Sequence, residues 1–201
     1  MTTHQATHDA GHGESLDLRK LGMWIFLSSE VIFFGALIIT FLIYKDRVGH
    51  LSPGHDVLNI NITSLITFIL LSSSLTMVLG LSAIQQDKIE QGKYWLLATA
   101  LLGTIFVGIQ IYEYVELVHE GLTIAGSLYG SAFFTLTGFH GTHVAIGVLM
   151  LLITVGMTHA GCFSAKNALP VEIVGLYWHF VDLVWLVIFT LVYLIPPSGL
   201  A

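Results

Sequence analysis

Apolar residues come in five long runs along the chain, at 21–44, 60–84, 94–118, 128–157 and 171–195, each bounded by charge or by Pro and Gly. The hydrocarbon core of a bilayer is about 30 Å thick, and a helix rising 1.5 Å per residue needs about 20 apolar residues to cross it. Each run is long enough. The stretches between them, KDRVGHLSPGHDVLN, QQDKIEQGK, ELVHEGLTIAG and THAGCFSAKNALP, carry the charges and turn residues of loops in water. The pattern predicts an all-α integral membrane bundle of five transmembrane helices over 21–197, preceded by a polar tail over 1–20. It shows no internal repeat and no second domain.

Composition closes off the alternatives. Of 201 residues, 55% are hydrophobic and only 10% charged, with a mean hydropathy of +0.82, whereas a soluble domain carries about 25% charged residues. No soluble catalytic domain fits between the spans. A net charge of −6, with seven Lys and Arg scattered among the loops, excludes the basic stripe that nucleic-acid binding requires. The lone Cys162 supports neither an internal disulfide framework nor a thiolate metal cluster.

Charge also orients the bundle. Arg19, Lys20, Lys88, Lys93 and Lys166 fall on one side of a five-span arrangement, and Lys45 and Arg47 on the other. Five against two places the N-terminus in the cytoplasm and the C-terminus outside. Tyr44, Tyr94, Trp95, Tyr129 and Tyr193 lie near predicted helix ends, where amphipathic rings prefer the headgroup level. The N-terminal tail lacks the charged, apolar and small-residue zones of a cleavable signal, so the first span is expected to act as its own insertion signal. Its His4, His8 and His12 stand at spacing four, as metal ligands on one helical face would. Gly11 and Gly13 oppose a helix there and no fourth ligand is near, so the tail is read as disordered.

Ionisable groups at membrane depth are costly, and each is a functional candidate. They are Glu30 in FLSSEVIFFG, Glu113 in GIQIYEYVE, His140 and His143 in TGFHGTHVAIG, and His179 with Asp182 in LYWHFVDLVW. A haem clamped between helices needs imidazoles at equal depth. His143 is 14 residues from Met157 and His179 is 8 from Val171, an offset of about 9 Å. A bundle metal site would need a matching Glu-x-x-His at depth on a second helix; the one that occurs, Glu116 to His119, falls in the stretch read as a loop, so no metal ligand is assigned. Glu30, His179 and Asp182 fall in one depth layer of the cytoplasmic half and are expected to satisfy one another if their helices touch. That cluster either holds and passes a proton or simply fixes packing; Asp182 can also reach His179 on its own helix surface. Gln110 and Glu113, one turn apart, read as a local polar pair or a subunit contact. The hydroxyls of Ser72, Ser73, Ser74 and Thr76 and the glycines of the third and fourth spans read as helix packing.

Taken in order, WIFLSSEVIFFG, GIQIYEY, SAFFTLTGFHGTHVAIG and LYWHFVDLVWLVIFTLVYL closely resemble subunit III of the haem-copper terminal oxidases, in its short five-helix bacterial form. The likeness covers residues 22–195. It implies a chain with no catalytic residue and no cofactor of its own, haem and copper being held by partner subunits. It further implies that the chain packs against subunit I beside subunit II, binds phospholipid, and supports proton uptake while the complex, fed by cytochrome c or quinol, reduces dioxygen to water. The family's intramembrane glutamate falls on Glu30, its paired histidines on His140 and His143, and its WHFVD pair on His179 and Asp182. With Glu113 these make the proton-supporting or polar set; His140, His143, Gln110, Trp178 and Trp185 make the set packing against lipid or subunits. Long members have seven helices with a lipid-filled cleft after the second, and this chain starts at what would be the third. The expected location is the bacterial plasma membrane.

Two other classes stay open on sequence alone. One is a self-contained proton transporter using Glu30, His179 and Asp182, although transporters usually show interrupted spans or repeats. The other is an accessory subunit of a nitric oxide reductase.

Overall fold

The computed structural model describes residues 18–48 and 60–195. Five helices long and apolar enough to cross a membrane make up nearly all of it: α1 (Leu18–Val48), α2 (Ile60–Gln85), α3 (Ile89–His119), α4 (Leu128–His159) and α5 (Leu169–Phe189), the last continuing into one π-helical turn, Thr190–Leu194. No strand occurs among the described residues. The chain is an all-helical membrane bundle. The tail histidines and the C-terminal 196–201 lie outside the described residues.

The helix stops follow one local rule. In a Schellman cap the residue after the C-cap turns left-handed, and two amides fold back onto the last carbonyls. Gly121 (φ +92°) ends α3 this way, with Leu122 N donating to Leu117 O at 2.9 Å. Gly161 (φ +74°) ends α4, with Cys162 N donating to Met157 O at 3.0 Å. α2 ends on the same pattern without a glycine: Asp87 takes φ +63°, and Lys88 N donates to Ala83 O at 2.9 Å. The starts are equally local. The Ser127 hydroxyl accepts from Gly130 N at 3.0 Å at the head of α4, and Pro170 stands in the first turn of α5.

α2 and α3 form an extensive antiparallel hairpin, α3 packs on α4, and α5 lies against both α2 and α4. α1 packs on α4 and α5. It is fixed at both ends to α5: Lys20 pairs with Glu172 near the N-termini, and Lys45 donates to the carbonyls of Leu191, at 2.7 Å, and of Ile195 at the far end. Lys45 is therefore buried, 3% exposed, and caps carbonyls that the end of a helix leaves without intrahelical partners. α1 runs past both ends of its apolar window because these two lysines have partners on α5.

The centre is aromatic. Trp178 and Trp185 are fully buried with Phe34, Phe41, Phe106 and Phe133. Trp178 enters because Gly103 and Gly147 have no side chain: a Cβ at either would stand 2.4 and 2.8 Å from its ring. The belt expected at the helix ends is only half present. Tyr94 and Trp95 are exposed, but Tyr129 and Tyr193 turn inward and are buried, where each packs on Phe133.

Candidate functional site

The polar groups within the spans sort into separate places, and helix pairing decides which meet. On α2 and α5 the contacts form an antiparallel ladder. Trp185 Nε1 donates to Thr67 Oγ1 and Trp178 Nε1 to Ser73 Oγ, both at 2.9 Å. Beside the Ser73 rung, Ser74 Oγ meets Asp182 Oδ2 and lies 3.1 Å from His179 Nδ1. Thr67 and Ser73 each spend their single proton on their own helix, at Thr63 O and Leu70 O. Their lone pairs are thereby left to accept the indole N–H groups. Thr67 and Ser73 are thus the acceptors for the two indoles of α5.

Glu30 belongs elsewhere. Its Oε2 lies 3.2 Å from His143 Nε2 across the α1–α4 contact, while His143 Nδ1 lies 2.8 Å from the carbonyl of Phe139. Tyr177 donates to the His143 carbonyl at 3.0 Å, tying α5 to the same point. Glu30 is not joined to His179 and Asp182: it pairs with His143, while they meet on Ser74.

His140, one turn before His143, is enclosed and 0% exposed. Its ring stacks on Trp185 at 4.9 Å, with Phe106 edge-on at 5.9 Å, and neither ring nitrogen has a partner. It packs the bundle interior, among Trp185, Phe106 and Phe34. Trp178 and Trp185 are likewise internal anchors.

Gln110 and Glu113 do not pair with one another. Gln110 Nε2 donates to Tyr114 Oη and to Thr137 O, both at 3.2 Å, and Tyr114 Oη donates to Thr137 Oγ1 at 2.7 Å. Thr63 Oγ1 donates to Glu113 Oε1 at 2.8 Å. Sequence reasoning missed Thr63, Tyr114, Thr137 and Tyr177, since hydroxyls in apolar runs read as packing until a facing helix is known. Among the described residues no group of three or more His, Cys, Asp or Glu is placed to hold a metal ion.

Among the described residues, grooves open on the bundle surface, two of them between neighbouring helices. One of 240 Å³ lies between α3 and α4 beside Gln110, Tyr114, Gly138 and Gly141. The other, of 170 Å³, lies between α1 and α4 beside Thr40, Tyr44, Ser131 and Thr135.

Comparison with known proteins places these features. The family described as cytochrome c oxidase subunit III matches residues 2–196. The cytochrome c oxidase subunit 3 of Bacillus sp. (strain PS3) is 38% identical over 179 residues, 89% of this chain and 86% of that protein. The quinol oxidase subunit 3 of Bacillus subtilis (strain 168) is 38% identical over 184 residues, 91% and 90% of the two. The cytochrome c oxidase subunit 3 of the same strain is 37% identical over 180 residues, covering 89% and 87%.

Proposed function

This chain belongs to the cytochrome c oxidase subunit III family, the third subunit of a haem-copper oxidase complex, and on that premise we propose that it is a non-redox core subunit of an aerobic terminal oxidase. In this reading it steadies subunit I, lies beside subunit II, and supports proton uptake while its partners reduce dioxygen to water at haem and copper. Its N-terminus is cytoplasmic and its membrane is the bacterial plasma membrane.

The pairing of Glu30 with His143 carries the proposal. Phe139 O can only accept, so His143 Nδ1 holds a hydrogen, and Nε2 and Glu30 Oε2 can approach only with one more proton between them. A carboxyl and an imidazole sharing a proton at membrane depth form a store that can be filled and emptied. His179 and Asp182 form a second such place on α5, and Glu113 with Thr63 a third. The grooves at α3–α4 and α1–α4 are the proposed seats of phospholipid chains; Thr40, Tyr44, Ser131 and Thr135 supply hydroxyls at the rim of the second.

Relatives named for cytochrome c and for quinol match equally well. The electron donor is read here as cytochrome c, with quinol as the second reading. The named relatives give the nitric oxide reductase and self-contained transporter readings no support.

Isolation from the membrane tests the proposal. A complex holding this chain with a haem- and copper-containing subunit is expected. A dinuclear copper centre in the second subunit would fix cytochrome c as donor, and its absence quinol. Recovery of the chain alone with proton transport, or with haem bound to it in stoichiometric amount, overturns the reading.

A further inference from the structure

Ser74 stands between two titratable groups of α5, His179 and Asp182. Its neighbours in the sequence spend their hydroxyl protons on their own helix, Ser72 at Phe68 O and Ser73 at Leu70 O. Ser74 Oγ reaches side chains instead, touching Asp182 Oδ2 and lying 3.1 Å from His179 Nδ1. A hydroxyl has one proton to donate and two lone pairs to accept with, so two arrangements of hydrogens fit the same heavy atoms. With Asp182 ionised, both of its oxygens only accept. Ser74 then donates to Oδ2, Nδ1 carries the hydrogen that Ser74 accepts, and Nε2 is bare. With a proton on Oδ2 every bond reverses: the carboxyl donates to Ser74, Ser74 donates to Nδ1, and the imidazole hydrogen sits on Nε2.

We infer that His179, Ser74 and Asp182 form a proton relay in which a water-borne proton taken up at His179 Nε2 is passed through the Ser74 hydroxyl to Asp182. The step balances. An Nε2–H bond forms and the Nδ1–H bond breaks; the Nδ1 proton joins Ser74 Oγ as the serine's own proton leaves for Asp182 Oδ2. The imidazole begins and ends neutral in opposite tautomers, and the charge of the three groups goes from −1 to 0.

The surroundings suit transfer in one place. His179 is the half-exposed end, whereas Asp182 is 5% exposed, so the proton enters from the surface and is kept inside. The Trp178–Ser73 and Trp185–Thr67 bonds on either side hold α2 and α5 in register and keep the hydroxyl between its partners. The titratable group that acts on each of His179 and Asp182 is the other, and the groups facing them from α2 are hydroxyls. Asp182 Oδ1 has no partner and takes no part in the relay. The inference deepens the proton-supporting role proposed for His179 and Asp182 and rests on it for its use, not for its existence.

The test uses the intact oxidase complex in membranes. Infrared absorption of a protonated carboxyl, assigned to Asp182 by its loss in Asp182→Asn, is followed after a rapid drop in pH. In Ser74→Ala the band is expected to rise more slowly by about tenfold or more, as for loss of one positioned proton-transfer group, and Ser74→Thr restores it. In the unaltered complex, nitrogen-15 NMR of His179 should show the imidazole hydrogen on Nδ1 before the band appears and on Nε2 after. A band that never appears, an equal rate in Ser74→Ala, or a tautomer that stays fixed while the band comes and goes overturns the relay. A slowed band with unchanged oxygen turnover and proton uptake leaves the relay standing and removes its proposed service to the oxidase.

Discussion

His143 faces two acceptors at once, the Phe139 carbonyl at 2.8 Å on its own helix and the Glu30 carboxyl at 3.2 Å on another. One ring nitrogen must therefore donate within α4, and the other must share a proton with α1. Glu30→Gln keeps a donor toward Nε2 and so keeps the α1–α4 contact, but removes the group that can gain and lose the proton. The expected outcome is a complex that assembles, with slower proton uptake or a shorter active lifetime over many turnovers. Unchanged uptake and lifetime would leave Glu30 a packing residue. His143→Leu removes both hydrogen bonds and should weaken association with subunit I; a fully assembled mutant complex would contradict this.

Gly103 and Gly147 seat the Trp178 ring, while nothing lies within 4 Å of a Cβ at Gly108 or Gly138. Gly103→Ala and Gly147→Ala each force a shift in a close-packed aromatic core, costing about 1–3 kcal/mol. Gly108→Ala and Gly138→Ala should be close to neutral. Thermal denaturation of the four single variants checks the split, and equal behaviour of the two pairs would count against the seating of Trp178.

His140 offers a test in the opposite direction. Both of its nitrogens are buried without partners, and an unsatisfied buried polar atom costs about 1–3 kcal/mol. His140→Phe keeps a ring between Trp185 and Phe106 and removes that cost. Stability should hold or rise by about 1 kcal/mol. A marked fall would show instead that the imidazole holds an ordered water in the bundle.

Lys45→Met removes a charged cap from the carbonyls of Leu191 and Ile195 while keeping most of the apolar stem. Hydrogen bonds to a charged group contribute about 1.5–3 kcal/mol, so a loss of about 2 kcal/mol in thermal stability is expected. Easier proteolysis near the C-terminal ends of α1 and α5 should accompany it.

Much of the architecture is legible in hydropathy alone, because a bilayer demands long apolar runs whose backbone is satisfied within each helix. Gly121 and Gly161 stand where left-handed caps require them, but Asp87 gives no such signal. The aromatic belt was half misread, since a tyrosine near a helix end can turn its hydroxyl to the headgroups or inward, and no window average separates the two. The site was less legible than the fold. Glu30, His143, His179 and Asp182 stand out as ionisable groups in apolar surroundings, but their partners depend on relative helix height and facing. Thr67, Ser73 and Ser74 became interpretable only once α5 lay antiparallel to α2 with Trp185 and Trp178 on either side.

The place of α1 has a consequence for how the chain is built. It leaves the ribosome first, yet the helices it packs on, α4 and α5, are made last, and both of its end contacts are with α5. During synthesis it must wait in lipid as a lone span while the α2–α3 hairpin closes beside it. Its sequence suits the wait: it holds an apolar run long enough to cross a membrane by itself, and of the five helices it is the least enclosed by the others. Maturation then ends with the closing of the first helix onto the last two, so truncation before α5 should leave α1 inserted and held by its α4 contacts alone.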